Sequence, residues 1–138
     1  GIEAYQPNNN RSQYDQGLHN ELIRDYYNAN PSSMEAALLN LSGLKREGRP
    51  NWAILGDMFE MGEYESEEHQ KIVDIAAQQE LEELILVGEA FAKTTGVGRR
   101  FKTTPEAIAW IEKHLPKEKL ILVKGSRGMT LEKVAELL

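Results

Sequence analysis

The sequence predicts a doubly wound α/β domain, a mainly parallel sheet with helices on both faces, and three observations carry that expectation. Apolar runs at Trp52-Ala53-Ile54-Leu55, Leu84-Ile85-Leu86-Val87 and Leu120-Ile121-Leu122-Val123 end at or close to Gly56, Gly88 and Gly125. A run that is apolar at every position suits a strand buried on both faces, the condition of parallel strands. Between the runs lie stretches of helical spacing with helix-start residues, so strand and helix alternate, as crossover connections require. A length of 138 residues fits one compact domain and not two enzyme domains.

Taken in order, residues 12–16 read as a short edge strand able to run antiparallel, and residues 21–26 as the first strand of the sheet body. Asn30-Pro31 supplies an N-cap and a pre-set first helical residue. Met34, Ala37, Leu38 and Leu41 then recur on one face until Gly43 or Gly48. After the strand at 52–56, Ser66 with Glu67 and Glu68 opens a helix whose buried face is Ile72, Ile75 and Ala76. The strand at 84–87 is followed by a shorter helix over 89–95. Thr104-Pro105-Glu106 starts the next helix, with Ile108, Ile111 and Leu115 inward. After the strand at 120–124, Thr130 is placed to cap a last helix carrying Leu131, Val134, Ala135 and Leu138. Residues 1–12, polar and Asn-rich, read as a connector from a preceding domain, and 13–138 as the domain itself.

Composition narrows the function. Lys plus Arg number 16 against 22 Asp plus Glu, a net charge of −6, so the surface as a whole repels nucleic acid and anionic membranes. An anionic ligand must therefore meet a local basic site. Hydrophobic residues at 41% and charged residues at 28% are those of an ordinary globular domain. No apolar run is long enough to span a membrane and no signal peptide is evident, so a cytoplasmic location is expected. The absence of Cys excludes disulfides, a thiolate nucleophile and sulfur-ligated zinc. His19, His69 and His114 lack metal-ligand spacing and read as surface or capping residues.

In open α/β sheets ligands bind beyond the carboxyl ends of the strands. The segments just after the apolar runs are accordingly the informative ones. Lys124-Gly125-Ser126-Arg127-Gly128 joins cations and a hydroxyl at a helix start, a combination suited to a carboxylate or phosphate; a tight turn with solvated cations is the competing reading. Neither G-x-x-x-x-G-K-[ST] nor G-x-G-x-x-G occurs, which argues against a stand-alone nucleotide triphosphatase or nicotinamide enzyme. Asp25, with Asn28 and Asn30 close behind, suits hydrogen bonding to a ribose, while Asn30 also caps its helix. Asp57, Glu60 and Glu63 lack a partner His, so no metal site is assigned. Arg99, Arg100 and Lys102 read as a solvated face.

Together these strings carry a resemblance. Tyr5-Gln6-Pro7 with Asn10-Arg11-Ser12-Gln13 comes first, then Asp25-x-Tyr27-Asn28-Ala29-Asn30-Pro31-x-Ser33-Met34. Gly56-Asp57-Met58-x-Glu60-Met61-Gly62 with His69 and Lys124-Gly125-Ser126-Arg127-Gly128-Met129 follow. In that order they resemble the Rossmann-like C-terminal domain of the Mur ligases, in the form of the members that add D-alanyl-D-alanine to UDP-N-acetylmuramoyl-tripeptide. Tyr26 departs from the pattern, standing where the family more often has a small residue.

The resemblance implies one part of a three-domain, ATP-dependent, amide-forming enzyme of peptidoglycan synthesis, hence of cell-wall biogenesis and division. An N-terminal domain would hold the UDP-sugar peptide, and a central domain would carry the P-loop, ATP and Mg2+; the C-terminal domain would close over them. By the same resemblance Arg11 reaches the ATP phosphates and Asp25 and Asn28 the nucleotide. Lys124, Ser126 and Arg127 would face the incoming dipeptide, with no catalytic residue and no bound cofactor in this domain alone. The isolated chain is expected to be inactive, with neither nucleic acid nor membrane as partner. The competing class is a non-catalytic doubly wound module that holds a small anion or a partner protein.

Overall fold

The computed structural model describes residues 13–26, 28–44 and 48–138. Strands β1 (Gln13–Gln16), β2 (Glu21–Asp25), β3 (Asn51–Gly56), β4 (Glu83–Val87), β5 (Arg99–Phe101) and β6 (Leu120–Lys124) form one sheet in the order β1-β2-β6-β3-β4-β5. β1 runs antiparallel to β2, and every other pairing is parallel. Helices α1 (Pro31–Gly43), α2 (Glu65–Ala77), α3 (Glu89–Ala92), α4 (Thr104–Lys113) and α5 (Glu132–Ala135) complete the described elements.

Side chains alternate across a strand, so each apolar run feeds two cores at once. Ala53, Leu55, Leu84, Leu86, Leu120 and Leu122 pack with α1, α2 and Phe91 of α3 on one face. Trp52, Ile54, Ile85, Val87, Ile121 and Val123 pack with α4 and α5 on the other. All residues of β3 and β6 are buried, which is why these runs show no polar alternation. The expected doubly wound arrangement with helices on both faces is the one observed.

Local signals place the helix starts where side-chain caps exist. Asn30 Oδ1 accepts from the Ser33 N–H at 2.9 Å, Ser33 Oγ accepts from the Asn30 N–H at 3.1 Å, and Pro31 follows as the first helical residue. This reciprocal capping box ends the chain's freedom just beyond β2. Thr103 caps α4 by accepting from the Glu106 N–H.

Other starts differ from expectation. Ser66 does not open α2: the helix begins at Glu65 after a 3-10 turn over Gly62–Tyr64, with no side-chain cap. The helix after β4 stops at Ala92, short of residue 95, and the strand from 21 stops at Asp25. Thr130 is not an N-cap, because its backbone is left-handed at φ 58° and it ends a 3-10 turn over Arg127–Met129.

β5 has no counterpart in the sequence reading, and its cations are engaged rather than merely solvated. Arg99 Nε donates to Glu83 Oε2 at 3.0 Å with its guanidinium 4.3 Å from the Trp110 ring centroid. Arg100 donates to Thr94 Oγ1 and to the carbonyls of Gly96 and Gly98. A three-residue strand with two arginines carries no apolar run, and charge on such an edge hinders pairing with another sheet. Among the described residues no helix is long and apolar enough to cross a membrane.

Candidate functional site

β6 and β3 are neighbours, yet the chain leaves β3 for the face of α2 and leaves β6 for the face of α5. Such a divergence opens a crevice at the carboxyl ends of the strands. Asp25 at the end of β2 lies opposite Lys124 at the end of β6, and Leu55 opposite Lys124 on the other side. Three strand ends and the loops that follow them therefore converge.

The centre of the site is a buried ion pair. Lys124 Nζ donates to Asp25 Oδ2 at 2.6 Å and to the Asn28 carbonyl at 2.9 Å. The side chains are 1% and 6% exposed. Gly125 follows at a close approach, since a Cβ would lie 2.7 Å from Leu131 Cδ1 and 3.0 Å from the backbone of Gly56. Beyond it the Ser126 N–H donates to the Asp57 carbonyl at 3.2 Å, and Ser126 Oγ accepts from the Phe59 N–H at 2.9 Å. Ser126 is buried at the rim and Arg127 is exposed on the 3-10 turn.

The loop after β3 is tied down by Asp57 and by His69, and the sequence reading misplaced the second. Asp57 caps α3 from a distance: Oδ2 accepts from the Ala90 N–H at 2.9 Å and Oδ1 from the Phe91 N–H at 3.0 Å. A carboxylate there favours both orphan amide groups and the helix dipole. His69, expected at the surface or in a cap, is fully buried. Its Nε2 accepts from the Met58 N–H at 2.9 Å and its Nδ1 lies 2.7 Å from the Glu65 carbonyl. An amide N–H only donates and a carbonyl only accepts, so the ring carries its proton on Nδ1. The ring meets Phe91 edge-on at 4.6 Å. His69 thus positions the loop that carries Asp57, a role no local spacing announces.

Of the sequence-derived site residues, Asp25, Asn28, Lys124, Ser126 and Arg127 share this crevice, while Arg11 lies outside the described residues. So does Tyr27. Phe59, half exposed with its ring against Gly128, was not singled out in the sequence, because a lone aromatic in a loop has no periodicity. Glu60 and Glu63 are exposed, and among the described residues no group of acidic or His side chains is arranged to hold a metal. A hollow of about 510 Å³ lined by Gln79, Glu82, Val97 and Arg99 lies at the opposite, amino end of β4 and β5. Its polar lining includes the Arg99–Glu83 ion pair, and it shares no residue with the crevice.

Tyr26 turns from the crevice toward the core of α5. Burial pushes its phenol up from 10.0 to about 12, against the Arg24 guanidinium, which favours the phenolate. The unfolded chain therefore releases this proton first, and the stability this group contributes is whole below about pH 10 and is lost as pH rises to about 12. Urea unfolding of the native and Tyr26→Phe chains at pH 8 and pH 11 measures it. The expected result is that Tyr26→Phe gains on the native chain at pH 11; equal losses in both would refute the burial account.

The family model described as Mur ligase, glutamate ligase domain, matches residues 10–127. The UDP-N-acetylmuramoyl-tripeptide–D-alanyl-D-alanine ligase of Rickettsia prowazekii is 33% identical over 122 residues, covering 83% of this chain and 26% of that protein. The ligase of the same name from Bacillus subtilis is 29% identical over 131 residues, 88% of this chain and 28% of its own. Among solved structures, MurF from Acinetobacter baumannii superposes with a TM-score of 0.79 at 30% identity, covering 99% of this chain and 31% of that one. MurF ligase from Thermotoga maritima in complex with ADP gives a TM-score of 0.75 at 19% identity over 92% of this chain and 30% of that one, a likeness of fold. The chain spans about a quarter of the length of the curated relatives it matches.

Proposed function

Because the chain belongs to the Mur ligase family through its glutamate ligase domain, we propose that it is the C-terminal domain of an ATP-dependent ligase joining D-alanyl-D-alanine to UDP-N-acetylmuramoyl-tripeptide. The observation that carries this reading is convergence. The Asp25-to-Asn28 segment, the Gly56-Asp57-Met58 loop and the Lys124-to-Gly128 loop, scattered along the sequence, meet at one crevice through direct hydrogen bonds. Residues 1–12 are the connector from a central domain that binds ATP. Mg2+ is assigned to that domain by the same resemblance, and no step runs through it here. We assign its location to the cytoplasm.

A carboxylate is a poor electrophile, so the tripeptide's terminal carboxylate must first take a phosphoryl group from ATP. The dipeptide amine then attacks the acyl phosphate, the C–N bond forms, phosphate leaves with the C–O electron pair, and the amine loses a proton. What this domain contributes is position. Asp25 and Asn28 meet the nucleotide and Arg11 its phosphates, while Ser126 and Arg127 seat the dipeptide carboxylate by charge-assisted hydrogen bonds. Closure of the domain over the central one excludes water from the acyl phosphate.

Phosphate release by the full-length protein tests the reading. Turnover should require ATP, UDP-N-acetylmuramoyl-tripeptide and D-alanyl-D-alanine together, and residues 1–138 alone should neither hydrolyse ATP nor form the amide. Full-length turnover that ignores the dipeptide, or magnesium-dependent ATP turnover by residues 1–138, would contradict it.

A further inference from the structure

Resting on the reading in which Asp25 and Asn28 meet the nucleotide, we propose that Lys124 is a positioning residue for that nucleotide-facing segment, and not a seat for the dipeptide carboxylate. Lys124 and Asp25 end two adjacent parallel strands in direct register. The ammonium carries three donors, and two of them are directed at Asp25 Oδ2 and the Asn28 carbonyl. One cation therefore holds both ends of the segment, the side chain at its start and the backbone at its finish.

Burial together with committed donors decides between the two roles: Lys124 is enclosed and already bonded to Asp25 and Asn28, while Asn28, at the far end of the segment, is the exposed residue that a nucleotide can meet. At 1% exposure the Lys124 side chain does not reach the rim where Arg127 stands. A dipeptide carboxylate drawn to it would have to enter beside Asp25, placing like charges together in a poorly solvated site. Asp25 in turn depends on Lys124, because a buried carboxylate left without its cation is strongly disfavoured. Two further constraints make the segment receptive to such a lock. The capping box at Asn30 fixes the chain just beyond Asn28, and the pairing of β2 with β6 fixes it just before Asp25. Lys124 closes the interval between those anchors.

Steady-state kinetics on the full-length ligase, with each substrate varied in turn, separates the roles. Lys124→Met should raise the KM for ATP roughly ten- to hundredfold, the usual worth of a hydrogen bond to a charged group. The KM for D-alanyl-D-alanine should stay within about twofold, as expected of a group that does not touch the dipeptide. Lys124→Gln, whose amide still donates to Asp25 or Asn28, should show a smaller rise in the same direction and supplies the kinetics if Lys124→Met does not fold. A residue that acts in part through Asp25 has less left to position once Asp25 is neutralised, the Asn28 carbonyl alone. The double variant Asp25→Asn with Lys124→Gln should therefore raise the KM for ATP by less than the product of the two single effects.

A role in stability alone would lower the melting temperature and leave both KM values in place, which overturns the proposal. A selective rise in the dipeptide KM, or effects of the two substitutions that multiply, overturns it as well. Failure of the underlying ligase reading is visible separately, because the unsubstituted enzyme would then show no turnover dependent on ATP and the dipeptide.

Discussion

Gly88→Ala destabilises the domain by about 3 kcal/mol or more, the sum of a forbidden backbone conformation and a steric collision. Gly88 has φ 125° and ψ 165°, a region open essentially to glycine. A Cβ added there would fall inside the Asp57 carboxylate, the same group that accepts from the Ala90 and Phe91 amides. The methyl group cannot be accommodated by a rotamer change without releasing the cap of α3. Thermal unfolding of the purified chain should show a midpoint lower by on the order of 10 °C for a domain of this size. Asp57→Ala should also destabilise, and in the double variant the losses should be less than additive, since removing the carboxylate relieves the collision. A Gly88→Ala midpoint within about 2 °C of the native one would show that the loop gives way freely.

On the proposed ligase function, Arg127→Ala in the full-length protein should raise the KM for D-alanyl-D-alanine roughly ten- to hundredfold while that for ATP changes little. The motivation is position: Arg127 is exposed on the turn that directly follows Ser126. A carboxylate seated there meets a planar guanidinium that remains ionised at any working pH. Arg11→Ala should do the reverse, weakening ATP use and lowering turnover, if that residue reaches the phosphates. Kinetics on both variants with each substrate varied decides the matter. Equal impairment of both substrates by Arg127→Ala, or of neither, removes the carboxylate seat from Arg127.

What could be read from the sequence was whatever short-range chemistry specifies. Apolar runs such as Leu120-Ile121-Leu122-Val123 marked the buried strands because both faces of the sheet are covered, and Asn30-Pro31 marked a helix start because its capping box closes within four residues. The residues that gather at the crevice were also visible, as strings that follow strand ends. Their partners were not. Lys124 and Asp25 stand 99 positions apart, and Asp57 caps a helix whose first amides lie 33 and 34 positions on. His69 follows directly on the acidic first turn of α2, so nothing local announces that its ring fills the gap between Met58, Glu65 and Phe91. Arg99 and Arg100 form a strand only because β4 offers an open edge, a fact of topology with no trace in their own composition.

The strand order has a consequence for the timing of folding. β6, synthesised after every other strand, lies in the interior of the sheet between β2 and β3. Until it emerges from the ribosome, the β1–β2 hairpin has no strand linking it to the rest of the sheet, and a two-stranded ribbon on its own is marginal in water. Pairings so distant in sequence cost loop-closure entropy before they return any burial, which makes assembly slow and leaves apolar strand faces uncovered in the interim. The crevice inherits that schedule: Asp25 is translated early but acquires its buried counter-charge only when the last strand docks. Nascent chains halted before residue 120 should therefore remain sensitive to protease around 21–25, and protection there should arrive together with residues 120–124 in one step.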